Sequence, residues 1–128
     1  MVNLIKEIAK HLEFCGIGTI TTIDEDGDIF WGKMPDKPDN AICVYSIDSA
    51  LPGDPRGARI QIMNRAKTTA EAYEKALEIA DELDEFRGFL HGDGILVRIE
   101  IINSANGLGS DKVMRELYST NVRVYYCE

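Results

Sequence analysis

The stretch from Thr68 to Leu83 constrains the fold most. Thr68 with Glu71 three residues on is a capping box, in which hydroxyl and carboxylate satisfy backbone N–H groups left over at a helix start. Ala72, Tyr73, Ala76, Leu77, Ala80 and Leu83 then recur every three or four residues, which places them along one side of a helix. The spacing predicts a helix over about residues 69–86. Its alanines suit close packing on a sheet, so the rest of the chain should supply one.

Near the start, Leu4, Ile5, Ile8 and Leu12 form a second helical stripe over about residues 2–14, stopped by Gly16 and Gly18. The remainder reads as strands and loops. Thr19–Ile23 and Asp28–Met34 flank Asp24-Glu25-Asp26-Gly27, and an Asp-Gly step between two β-prone runs signals a hairpin. Pro35-Asp36-Lys37-Pro38-Asp39-Asn40 excludes regular structure and predicts an exposed loop. Ala41–Ile47 is apolar on both faces and belongs inside a sheet. Residues 48–57 read as a second long loop. Residues 59–65 alternate, with Ile60 and Ile62 toward the core and Arg59, Gln61 and Arg65 toward solvent or a partner.

After a turn at residues 91–94, Ile95–Ile102 is a β-branched strand, and Asn103–Gly109 reads as a glycine- and asparagine-containing loop. Tyr118, Thr120, Val122, Val124 and Tyr126 alternate in a long final strand over about residues 115–127. Helix, hairpin, two strands, helix and two strands predict an α+β fold. The expectation is a single mostly antiparallel β-sheet with two main helices packed on one face, as one domain over residues 1–128.

Composition supports a folded domain: 128 residues suffice for one core, and 45% hydrophobic with 28% charged residues is a globular balance. A net charge of −8 opposes non-specific association with nucleic acid or an anionic membrane. Cys15, Cys43 and Cys127 show no metal-like spacing and read as reduced thiols. The start lacks the order of a signal peptide, and no apolar run reaches the ~18 residues of a membrane span, so the chain is expected in the cytosol where it is made.

Chemistry-bearing motifs are sparse. Asp24, Glu25, Asp26 and Asp28 resemble the opening of a calcium loop, but the glycine stands at the fourth position and Pro35 occupies the twelfth, where a glutamate is needed. The bland alternative is a solvated turn. His91 and Asp93 could belong to a small hydrolase, although no nucleophile motif or phosphate-binding loop accompanies them. The Gly-x-Gly pairs at 16–18, 92–94 and 107–109 read as turns. Phe30 and Trp31 point to opposite faces of a strand, leaving Trp31 as an interface anchor or folded under the proline loop. Arg59 and Arg65 are either solubility charges or partners for a neighbouring subunit's carboxylates. No catalytic, cofactor or metal site is expected.

The order of these pieces resembles the tail-terminator, or minor capsid, proteins of long-tailed bacteriophages. The resemblance rests on the N-terminal amphipathic helix followed by Ile29-Phe30-Trp31-Gly32-Lys33-Met34-Pro35-Asp36-Lys37-Pro38-Asp39-Asn40-Ala41. It continues with the strand Ala58-Arg59-Ile60-Gln61-Ile62, the helix from Thr69, and the Leu108-Gly109-x-Asp111 turn before the last strand. The Met-Pro-Asp-x-Pro-Asp-Asn-Ala string is its most specific item, and the Thr19–Asp26 stretch is a departure from the pattern.

The resemblance implies a non-enzymatic virion protein, present in the host cytoplasm during assembly. It would form a ring, usually of six, at the head-proximal end of the tail tube. Such a ring ends tube polymerisation and offers a docking surface to the head–tail connector protein. Homo-oligomer, tube protein and connector are then the partners, with no membrane, and DNA passes through the ring without sequence-specific binding. Loops 35–40, 48–57 and 103–112 would carry contacts, and the candidate interface residues are Trp31, Lys33, Asp36, Lys37, Asp54, Arg56, Arg59, Arg65, Asp111, Lys112 and Arg115. The competing class is a small-molecule-binding or regulatory α+β domain of an enzyme system, which an apolar ligand pocket in a stable monomer would favour.

Overall fold

A computed structural model describes residues 2–21 and 26–127. Helix α1 spans Leu4–Phe14, capped by Asn3, whose side-chain oxygen accepts from the Lys6 amide at 3.3 Å. Its end is closed by the Gly16 and Ile17 amides donating back to Glu13 and Leu12, with Gly16 at φ +81, a left-handed position that glycine tolerates. Helix α2 spans Thr69–Leu83. The Thr68 hydroxyl accepts from the Glu71 amide at 3.2 Å, while the Glu71 carboxylate accepts from the Asn40 side chain. One half of the capping box therefore caps, and the other half ties down a loop. The helix stops before residue 86 because Asp84 turns extended and Glu85 takes a positive φ of 54.

Among the described residues the strands are β1 (Ile29–Trp31), β2 (Ala41–Asp48), β3 (Ala58–Ala66), β4 (Arg87–Phe89), β5 (Leu96–Ser110) and β6 (Glu116–Cys127). They form one sheet in the order β1-β2-β3-β6-β5-β4. Ile8 and Leu12 of α1 and Ile79 and Leu83 of α2 share a single core with Ile42, Val44, Ile60, Ile62, Ile99, Val122 and Val124. These strand residues alternate along their strands, so both helices cover the same face.

The sheet is mixed and curled, not mostly antiparallel. β1 runs parallel to β2, with Ile29 beside Ile42 and Trp31 beside Val44, and Ile20 bridges Ile29 in parallel as well. The expected hairpin is thus absent where it can be followed; its residues Thr22, Ile23, Asp24 and Glu25, the last two being half of the acidic turn, lie outside the described residues. A parallel pair cannot be joined by a tight turn, so residues 32–40 must run back along the sheet before β2 begins.

Two further expectations change. β4 was not anticipated. Asn103–Gly109, expected as a loop, is instead the second half of β5, paired with β6 through register shifts at Ile101/Asn103, Asn103/Asn106 and Gly107/Gly109. Bulges admit residues that a regular strand excludes and increase its twist. Asn103 Oδ1 stabilises the irregular stretch by accepting from Asn106 and Asn121, each at 2.7 Å. The Gly107 and Gly109 pair therefore belongs to a strand, whereas Gly16 sits in a turn and Gly92 ends a short 3-10 helix over Leu90–Gly92.

Candidate functional site

The hairpin joining β5 to β6 builds the most connected polar cluster. Asp111 Oδ1 accepts from the Val113 and Arg115 amides at 3.0 and 2.9 Å, and its backbone N–H donates to the Arg115 carbonyl, which closes residues 111–115 into an aspartate-centred turn. Burial pushes the Asp111 carboxyl upward, but the Arg115 amide and guanidinium and the Val113 amide together hold it below the ordinary carboxylate range. Arg115 Nε donates to Asp111 Oδ2 at 2.7 Å, so the turn also aims the guanidinium.

That guanidinium reaches across to the proline loop. It donates to the Asp36 carbonyl, to Asp36 Oδ1 at 3.1 Å and to Asp39 Oδ1 at 3.3 Å. Arg65, at the end of β3, donates to the Pro38 and Asp39 carbonyls at 2.6 and 3.1 Å. Met34 N donates to the Tyr45 hydroxyl at 2.9 Å, and Lys67 N to Asn40 Oδ1 at 3.3 Å. The Met34–Ala41 string is therefore the return crossover between two parallel strands. Two arginines grip the carbonyls that the prolines keep out of any ladder. Arg65 is only 6% exposed, which corrects the expectation that it faces solvent or a partner.

The opposite end of the sheet carries the 48–57 loop. Arg56 pairs with Asp54 and Arg59 with Asp48, each at 2.9 Å, and Arg123 donates to the Arg56 carbonyl at 2.9 Å. Hydrogen bonds from the neighbouring arginines hold Asp54 and Asp48 below their ordinary range. The Tyr126 hydroxyl anchors the Ala50 carbonyl at 2.6 Å, leaving Leu51 exposed. A cavity of about 800 Å³, lined by Val2, Leu4, Ile5, Leu51, Ile60 and Tyr126, lies between this loop and the start of α1. Its charged rim groups Asp48, Asp54 and Arg56 are already paired, Asp54 with Arg56 and Asp48 with Arg59.

The histidines lie elsewhere. His91 Nε2 meets Glu7 Oε2 at 2.8 Å and Nδ1 meets Asp93 Oδ1 at 2.9 Å, so both ring nitrogens face carboxylates and neither faces a nucleophile. His11 Nδ1 accepts the His91 amide at 2.7 Å, and its Nε2 lies 3.5 Å from Cys15 Sγ. Burial, with Glu82 nearby, pushes the Cys15 thiol up to about 11, the reverse of what an activated nucleophile needs. Among the described residues no group of three or more His, Cys, Asp or Glu is placed to hold a metal ion. No helix of the described residues is long and apolar enough to cross a membrane.

Of the residues expected at contacts, Asp36, Asp111 and Arg115 converge at one end, and Asp54, Arg56 and Arg59 gather at the other. Phe30 faces the proline loop with Lys37 and Pro38. Trp31 is 40% exposed on the side of α1, with Lys6 Nζ 6.0 Å from its ring centroid. Lys33, Lys37 and Lys112 are exposed. Sequence reasoning passed over Val113 and Met114, which project from the hairpin turn at 64% and 73% exposure. Two apolar residues inside an otherwise polar turn were the available signal.

Comparison with curated proteins gives no match. A family model described as bacteriophage tail terminator protein matches residues 15–126, nearly the whole chain and both loop ends.

Proposed function

Since the chain belongs to the bacteriophage tail terminator protein family, and is thus a structural component of the phage tail and of the virion, we propose that its single domain forms a ring, of six subunits by expectation, on the head-proximal end of the tail tube. The ring ends tube polymerisation and presents its other side to the head–tail connector protein. The family match carries this reading, and the distribution of surface supports it. A closed ring between two different partners needs two unlike faces. One end of the sheet offers the clamped proline loop with Lys37, Lys112, Val113 and Met114, and the other offers Leu51 with the Asp54–Arg56 pair. Both sets stand on rigid elements, where recognition loops are best placed.

A net charge of −8 on each subunit favours passage of DNA through the ring over its capture. The function needs no catalysis, no cofactor and no membrane, and assembly takes place in the host cytoplasm. The test adds the purified chain to polymerising tail-tube protein of the same phage and follows tube length by electron microscopy. Elongation should stop as the chain is titrated in. Tubes that grow to the same lengths at every concentration of added chain would count against a terminator role.

A further inference from the structure

The two lateral edges of the sheet carry opposite character. On one side β4 pairs only with residues 96–98 of β5, and Phe86 takes the Ile99 amide; beyond that, among the described residues, nothing pairs with the outer side of β5 up to Ser110. Beside this open strand, Glu74, Glu78, Asp81 and Asp84 follow one another at three- and four-residue steps along α2 and its cap. Together with Leu77 they line a groove of about 660 Å³ against Ile101 and Ser104. Among the described residues Glu78 alone of the four meets a cation, Lys75 at 3.1 Å. The groove is acidic, and its lining includes the exposed Leu77 and residues of the open strand.

On the opposite side β1 is the last strand, flanked by the Ile20 bridge, and its exposed side toward α1 is basic and aromatic. Trp31 lies exposed beside Lys6, Lys10 follows one turn along α1, and Lys33 comes two residues after Trp31. Among the described residues the lysines that meet carboxylates are Lys67 and Lys75, both elsewhere. A chain with a net charge of −8 has thus gathered unpaired lysines around its one tryptophan.

We propose that the Trp31 edge of one copy seats in the α2–β5 groove of the next, with Lys10 and Lys33 against Glu74 and Asp81 and the indole toward Leu77. This rests on the ring reading, since the contact is heterologous and closes only by rotation. Side chains carry it. Thr19 and Thr21 already occupy the outward backbone groups of Ile29, so the edges cannot join as one continuous ladder. Aromatic anchoring with flanking charge complementarity is the pattern of a specific, salt-sensitive interface.

The test uses two charge-reversed full-length variants, Lys10→Glu with Lys33→Glu and Glu74→Lys with Asp81→Lys, all at exposed positions. Light scattering gives the mass alone and after addition of tail tubes, with circular dichroism confirming the fold. Each variant alone should fall to the 14.3 kDa of one chain, because like charges meet at every contact. An equimolar mixture should regain the wild-type assembly, since in an alternating ring every contact again joins opposite charges. Either variant assembling alone, or a mixture that stays monomeric while wild type forms rings, overturns the edge assignment and leaves the ring intact. Wild type that remains a single chain both alone and on tubes overturns both.

Discussion

Arg115 makes Nε and Nη contacts to Asp111, Asp36 and Asp39 at once, a task for a planar fork that a lysine's point charge cannot repeat. Arg115→Lys should therefore keep the charge and lose the clamp: the 33–40 amides should exchange faster with deuterium while those of β3 and α2 keep their protection. Equal protection in the variant would show that the prolines and Arg65 alone hold the loop. His11 makes a second residue-scale prediction. Burial first, and the charge of His91 second, lower its pKa from the ordinary value of about 6.5, with Glu82 acting the other way. Its neutral Nδ1 also accepts the His91 amide. The unfolded chain therefore binds this proton more readily, so this contribution to stability is fully present above about pH 6.5 and is lost as pH falls below it. Urea midpoints should drop between pH 7 and pH 5, and less steeply in His11→Gln; parallel curves would contradict the assignment.

At the scale of elements, α2 was the most legible part through its Thr68 cap and its alanines, although Tyr73 and Leu77 of the expected stripe are exposed and the buried Ile79 was not in it. Thr68→Ala should cost about 1 kcal/mol through the lost cap, and Ala76→Leu about 1–3 kcal/mol, because Ala76 is fully buried against the sheet. Urea denaturation measures both, and an unchanged Ala76→Leu would mean the helix can lift without penalty. Strands β2, β3 and β6 were legible from alternation and from apolar faces. The parallel β1 was not, because its partner is chosen by a crossover whose anchors, Arg65 and Arg115, lie 26 and 79 residues from the carbonyls they hold. The second half of β5 was hidden for a local reason: Asn103, Asn106, Gly107 and Gly109 are turn formers, and only cross-strand amide bonds and bulges make them a strand. The clamp had the same status, since Arg59 and Arg65 alternate alike and only the folded loop distinguishes the exposed one from the buried one.

For the molecule as a whole, the two loop ends and the two edges divide the surface into four regions of different chemistry. Val113 and Met114 mark one end, Leu51 and the Asp54–Arg56 pair the other. The acidic α2–β5 groove faces one way around the proposed ring and the Trp31 lysines the other. In the proposed ring, such an arrangement lets one small chain meet two unlike partners along the tail axis and its own copies around it. The most direct measurement is electron microscopy of phage tail tubes mixed with the purified chain. The account predicts a ring of added density confined to one end of each tube, six-fold by expectation, with none along the tube wall. Tubes whose ends stay bare, or chains scattered along their length, would contradict it.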